Sequence, residues 1–148
     1  MNETFTLRGK KVAGGCAEGE ALVADAMLSF WGEVDPVTGV VIAVGHPLEG
    51  CRLGGRVLVI RSTKGSSATS MVLELAKLEG AAPAALVNVE VDSLAALGAI
   101  VQRIPMVTGL ERDPFACIRT GDHVRVDADA GLVRVTPRGR RGSSGGAE

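Results

Sequence analysis

The sequence predicts a mixed α/β domain in which β-rich outer parts surround a central strand–loop–helix–strand unit. Residues 56–60 form an apolar, β-branched run, which is typical of a strand covered on both faces. Residues 72–78 place apolar side chains at helical spacing, and Gly80 follows as a helix-ending residue. Residues 124–135 alternate around a glycine-bearing turn, which predicts a C-terminal hairpin.

Each element follows from a local signal. A turn is expected at residues 35–39, because Pro36 presets φ and Gly39 admits a positive φ. Asp92 is placed to cap the helix that follows it. A polar loop is expected at residues 62–67. Strands are predicted at residues 4–8, 20–23, 40–44, 56–60, 84–89, 105–107, 124–126 and 132–135. Helices are predicted at residues 72–78 and 94–101, with a single helical turn at 114–118.

Length and composition limit the classes of function. The chain has 148 residues, enough for one domain, and no apolar run approaches the roughly 20 residues that span a bilayer. The N-terminus has no apolar core of a signal peptide, so a cytoplasmic protein without a membrane partner is expected. A net charge of -1 and 3% aromatic residues argue against nucleic-acid binding. The folded domain is expected to span residues 1–136, and the Gly/Ser/Arg-rich residues 137–148 are expected to form a disordered tail.

The cysteines do not predict a metal site. Cys16, Cys51 and Cys117 are far apart along the chain and form neither a CxxC pair nor a Cys/His cluster. We therefore interpret them as small buried hydrophobes and assign no metal ligand to this chain.

The most informative segment lies between the predicted strand and helix of the central unit, at residues 61–70. Backbone N–H groups and the helix dipole favour anions there, Gly65 lets the backbone approach closely, and the hydroxyls of Ser66 and Ser67 follow. The segment does not match a phosphate loop, because Lys64 precedes the glycine. It does not match a GxSxG nucleophile elbow either, because no second glycine follows the serine. A simpler interpretation, in which one serine only caps the helix, stays open.

Other candidates are weaker. His46 is a candidate acid–base residue by its residue type, but it precedes a proline in a predicted turn. His123 lies in the hairpin and is expected at the surface, and Asp35 is expected to cap its turn. Phe30 and Trp31 are expected in the core or at a partner interface.

Many short segments, in one order, resemble the swivelling domain of the aconitase X family over about residues 5–135. These segments are residues 19–23, 29–32, 35–39, 46–50, 64–67, 80–85, 121–122, 126–128 and 131. The resemblance implies a swivelling β/β/α domain of the aconitase type, with mixed sheets.

The resemblance also implies a function. Aconitase X enzymes are dehydratases with a large catalytic part and a small swivelling part, and a separate chain of this size is similar to the two-chain arrangement. A large catalytic subunit is then the expected partner. It would carry the iron or iron–sulfur centre, with no cofactor bound by this chain. The family's loop serine falls on Ser66, the expected proton acceptor, with Lys64, Gly65 and Ser67 expected to bind substrate.

Two substrates are known for the family. The preferred hypothesis is cis-3-hydroxy-L-proline, and the alternative is phosphomevalonate, which the basic residues Lys64 and Arg61 keep open. A hypothesis from another class is a stand-alone binding or regulatory module that lacks catalysis.

Overall fold

The computed structural model describes residues 3–66 and 68–138. The elements are, in chain order, β1 (Phe5–Arg8), β2 (Lys10–Ala13), β3 (Cys16–Ser29), α1 (Phe30–Glu33), β4 (Val57–Lys64), α2 (Thr69–Leu78), β5 (Ala85–Glu90), α3 (Ser93–Val101), β6 (Met106–Thr108), α4 (Pro114–Cys117), β7 (His123–Asp127) and β8 (Leu132–Thr136). Among these residues, no helix combines the length and the apolar character that crossing a membrane requires.

The strands form one sheet of mixed direction, in the order β1-β8-β7-β3-β4-β5-β6-β2. The long strand β3 joins its two halves. Its first residues, from Cys16 to Glu20, pair antiparallel with β7, and its later residues pair parallel with β4. The predicted α/β class, the central unit and the C-terminal hairpin are therefore confirmed.

The central strand β4 is covered on both faces, as its sequence predicts. Leu58 and Ile60 pack into one hydrophobic core, together with residues of α2 and α3. Val57 and Val59 pack into a second core on the opposite face, together with β7 and β8. All four side chains are fully buried, because alternate residues of a strand point to opposite faces.

Several predicted elements differ in the structure: the strand predicted at residues 20–23 is part of the longer β3, and two further segments depart more strongly. The expected loop at residues 62–67 begins later, since Ser62 to Lys64 continue β4. Thr63 is buried and forms a side-chain hydrogen bond with the buried Asn88 of β5 over 2.8 Å, so a polar sequence still pairs as a strand there. Residues 40–44 form no strand: only isolated bridges join Val40 to Arg52 and Val41 to Val34.

The glycine-bearing loops behave as predicted. Asp35 accepts the N–H of Val37 over 2.9 Å, and Gly39 has a φ of 75°. Gly80, after α2, has a φ of 69°. Beyond β8, the backbone N–H of Arg138 donates to Asp122 over 2.9 Å. Residues 139–148, which hold most of the predicted tail, lie outside the described residues.

Candidate active site

A cleft of about 340 Å³ lies at the carboxyl ends of β3 and β4, where the two strands pair in parallel and Ser29 stands opposite Lys64. Carboxyl ends of parallel strands are a common place for ligands in α/β sheets. The lining residues come from the end of β3, from α1 and from the β4–α2 loop: Ser29, Trp31, Gly32, Glu33, Lys64, Gly65 and Ser66. Three of the four predicted site residues therefore meet in one cleft, and Ser67 lies outside the described residues.

Gly65 is required by the way the loop packs. A Cβ at this position would overlap the carboxylate of Asp92 and would lie 2.7 Å from the backbone nitrogen of Ala95 and 2.8 Å from the Cβ of Leu94. The loop therefore rests directly on the first turn of α3. The sequence predicts a close backbone approach at Gly65, and in the structure the approach is to α3.

Ser66 is held over the start of α2 by three hydrogen bonds. Its N–H donates to Thr69 Oγ1 over 2.8 Å, and its carbonyl accepts the N–H of Thr69 over 3.1 Å. Its hydroxyl oxygen accepts the N–H of Ala68 over 3.2 Å. Ala68, not Ser66, occupies the N-cap position, without a side-chain cap. The interpretation of Ser66 as the helix cap is therefore only partly met, since its hydroxyl satisfies one N–H.

The start of α2 is electropositive. Its first turn holds no acidic residue, so no carboxylate there offsets the positive end of the helix dipole. Lys64 is exposed and forms no ion pair with the residues that the structure describes. The cleft therefore combines the positive end of a helix dipole with a lysine, which favours an anionic ligand.

The opposite wall of the cleft was not predicted from the sequence. Glu33 accepts the N–H of Ser29 over 2.7 Å, and the Ser29 hydroxyl donates to the carbonyl of Trp31 over 2.9 Å. Phe30 is buried in the core, whereas Trp31 is 59% exposed beside the cleft. The two aromatic residues, predicted as core or interface, therefore have different surroundings. They reach the cleft because β3 pairs in parallel with β4, which places the end of β3 beside the β4–α2 loop.

Arg61 does not contribute to this cleft. Three residues before Lys64 on β4, it forms a two-armed ion pair with Asp25, at 2.8 and 2.9 Å, and lies over the ring of Phe115. It lines a separate cleft of about 300 Å³ with Asn88 and residues 109–114. In that second cleft, the charge of Arg61 is paired with Asp25. Lys64 is the cation that lines the Ser66 cleft.

The weaker candidates are structural. His46 accepts the N–H of Leu48 at Nδ1 over 3.0 Å, and its Nε2 lies 2.7 Å from the carbonyl of Met27. This requires a neutral ring with its proton on Nε2. His123 is exposed and pairs with Glu18 over 2.7 Å, and this hydrogen bond lowers the pKa of the Glu18 carboxyl. Neither histidine lines the cleft.

The cysteines do not form a metal site. Within residues 3–66 and 68–138, no three His, Cys, Asp or Glu side chains stand close enough to hold a metal ion. Cys51 packs against one hydrophobic core and Cys117 against the other, on opposite faces of the sheet. Cys16 is exposed, so its predicted burial is wrong, because it begins β3 at the rim of the sheet. These residues do not fit an iron or iron–sulfur centre.

Comparison with known proteins shows the class of domain to which this fold belongs. A family model described as "Aconitase X swivel domain" matches residues 6–135, and the chain belongs to that family. A crystal structure of aconitase X from Thermococcus kodakaraensis matches with a TM-score of 0.81 and 40% identity, over 89% of this chain and 98% of that one.

Two relatives carry a more specific name. The phosphomevalonate dehydratase small subunit of Methanosarcina acetivorans is 40% identical over 136 residues, which cover 91% of this chain and 94% of that protein. The protein of that name from Thermococcus kodakarensis is 41% identical over 133 residues, which cover 90% and 98%. The predicted class, a subunit of an aconitase X-type dehydratase, is therefore confirmed. The name of these relatives contains phosphomevalonate, the alternative substrate of the sequence analysis, and not hydroxyproline.

Proposed function

We propose that this chain is the small subunit of a phosphomevalonate dehydratase and that Ser66 is its proton acceptor. The observation that carries the proposal is the position of Ser66 at the start of α2, in one cleft with Lys64, which has no ion-pair partner among the described residues. Relatives of similar length with about 40% identity and this name support the choice of substrate. The iron or iron–sulfur centre then belongs to the large subunit, because the residues described in this chain do not fit it.

Phosphomevalonate has the groups that the cleft suits: a carboxylate, a phosphate and a hydroxyl that can leave. Removing the proton from the carbon beside the carboxylate forms the double bond as the hydroxyl departs, and proton and hydroxyl together make the water that is lost. A serine hydroxyl is a weak base, so it needs donors that stabilise its deprotonated oxygen. The N–H of Ala68, 3.2 Å from Ser66 Oγ, and the dipole of α2 supply this stabilisation.

Lys64 has a separate role in the proposal. Its free ammonium group, at the end of β4, binds the carboxylate or the phosphate of the substrate. Gly65 keeps the loop flat against α3, so that Ser66 stays at the cleft. Ser67, in the same loop, stays a proposed substrate-binding residue.

The test is turnover of the complex with its large subunit, assayed on phosphomevalonate and on cis-3-hydroxy-L-proline. Ser66→Ala should lower kcat about 100- to 10,000-fold on the true substrate. Ser70→Ala is the matched control, because Ser70 lies in the first turn of the same helix and its hydroxyl accepts from Gln102 over 3.4 Å, outside the cleft. Size-exclusion chromatography checks that each variant still assembles.

Three outcomes would contradict parts of the proposal. Full turnover by Ser66→Ala would remove Ser66 as the proton acceptor. Turnover of cis-3-hydroxy-L-proline alone would show that it, and not phosphomevalonate, is the substrate. A chain that never associates with the large subunit would favour the hypothesis of a stand-alone binding module.

A further inference from the structure

Thr69, a residue to which the sequence assigns no role, is the buried neighbour of Ser66. Its side chain is 1% exposed, and its Oγ1 lies 2.8 Å from the Ser66 nitrogen and 3.5 Å from the Ser66 hydroxyl oxygen. We infer that Thr69 is the positioning residue of the Ser66 hydroxyl: it fixes that oxygen in place and donates a hydrogen bond to it when Ser66 has lost its proton. This inference rests on the proposed role of Ser66.

The hydrogen bonds around Thr69 Oγ1 allow it to donate its proton to Ser66. Because Thr69 Oγ1 accepts the N–H of Ser66, that oxygen is tied to the loop backbone. Its own proton remains to be donated, and the Ser66 hydroxyl oxygen is the partner that lies nearby, at 3.5 Å. In the resting state either hydroxyl can donate to the other. Once Ser66 is deprotonated it can only accept, so Thr69 must be the donor.

The packing of α2 on α3 holds the threonine in this orientation. A Cβ at Gly98 of α3 would lie 3.2 Å from the Thr69 methyl carbon, so the glycine leaves the space that the methyl needs. A β-branched side chain has few χ1 rotamers in a helix. With the methyl against Gly98, the hydroxyl is directed to Ser66. The deprotonated Ser66 oxygen would then have two donors, the Ala68 N–H and the Thr69 hydroxyl.

The experiment uses the complex with its large subunit and the variants Thr69→Val and Thr69→Ser. Val keeps the branched shape and removes the hydroxyl, whereas Ser keeps the hydroxyl. We expect Thr69→Val to lower kcat roughly 10- to 100-fold while KM stays within about twofold. The midpoint of the rising limb of the kcat/KM pH profile should move to higher pH, because the Ser66 hydroxyl is harder to deprotonate without this donor. Thr69→Ser should restore most of the activity and the original pH profile.

A double variant separates this role from a merely structural one. If Thr69 acts through Ser66, Thr69→Val should cause no further loss of turnover in the Ser66→Ala background. An equal further loss there, or an unchanged kcat and pH profile in Thr69→Val alone, would overturn the inference. If Thr69→Val does not assemble, Thr69→Ala removes the hydroxyl without placing an apolar branch beside Ser66, and the same comparison applies.

The outcome also distinguishes the two proposals. An inactive Ser66→Ala with a fully active Thr69→Val contradicts only the role of Thr69. A fully active Ser66→Ala contradicts the proposed proton acceptor itself, whatever Thr69→Val does.

Discussion

Helices α2 and α3 pack against each other, yet the N–H groups at their starts are bound differently. Asp92 caps α3 and accepts the N–H groups of Leu94 and Ala95 over 2.9 and 3.2 Å. The first turn of α2 has no acidic residue, and the N–H groups of Ala68 and Thr69 donate to neutral acceptors, the hydroxyl and the carbonyl of Ser66. One helix start is neutralised by its own chain, and the other remains open to an anion from outside.

The variant Ser66→Asp should have the largest effect, because it places a carboxylate at the start of α2, as Asp92 does at the start of α3. Turnover of the complex should fall by at least about 1000-fold, because the carboxylate occupies the N–H groups and repels an anionic substrate. The free energy of unfolding of the isolated chain should stay the same or rise by about 0.5 kcal/mol. Assays and urea unfolding measure the two effects. Loss of activity together with a large loss of stability would show instead that the loop has been disrupted.

The contact between the β4–α2 loop and the first turn of α3 is tested by Gly65→Ala. The added methyl would meet backbone and side-chain atoms of α3, so the variant should lose about 2 kcal/mol of stability and much of its turnover. Gly98→Ala is the matched control on the same pair of helices, since its Cβ would lie 3.2 Å or more from its neighbours. It should cost less stability. Equal losses in urea unfolding would contradict the special role of Gly65.

Removing the cap of α3 should have a smaller effect. Asp92→Ala should destabilise the chain by about 1 kcal/mol, because two N–H groups lose their acceptor. Asp92→Asn retains an acceptor oxygen, so its loss should be only a few tenths of a kcal/mol. Thermal unfolding of the three proteins at equal concentration measures the order. Equal losses in Asp92→Asn and Asp92→Ala would mean that the charge, not the acceptor oxygen, stabilises the helix.

The smallest predicted effect concerns the two cations of β4, Arg61 and Lys64. The hydrogen bond from Arg61 lowers the pKa of the Asp25 carboxyl, so this pair stabilises the fold above the carboxyl's unfolded pKa. The contribution is lost as the pH falls through the lowered pKa. The small difference in Tm between wild type and Asp25→Asn should therefore shrink on acidification and in high salt. Lys64→Gln should leave the pH dependence of Tm unchanged, because Lys64 has no ion-pair partner among the residues described.

Most of the fold could be predicted, because its signals are local. The β-branched run of β4, the helical spacing of α2 ended by Gly80, and the cap at Asp92 each act over a few residues. The misses depend on distant partners. β2 was not predicted because its pairing with β6 lies almost a hundred positions away. Residues 40–44 have a strand-like sequence but no neighbouring strand with which to form a ladder.

The candidate site was predicted in part for the same reason. Lys64, Gly65 and Ser66 are consecutive, so the pattern shows them together. Trp31 and Glu33 reach the cleft only because β3 pairs in parallel with β4 and ends at the same edge. No spacing in the sequence reports that pairing.

The sequence by itself determined the class of the domain, the family and the loop that holds the serine, since these depend on residue types in a short order. Only the tertiary structure decided which groups surround that serine. It placed Arg61 with Asp25 and gave Lys64 no ion-pair partner among the described residues, because neighbouring strands and not neighbouring residues select such partners. It also packed Thr69 between Gly98 and Ser66, where the contact between two helices sets the direction of one hydroxyl.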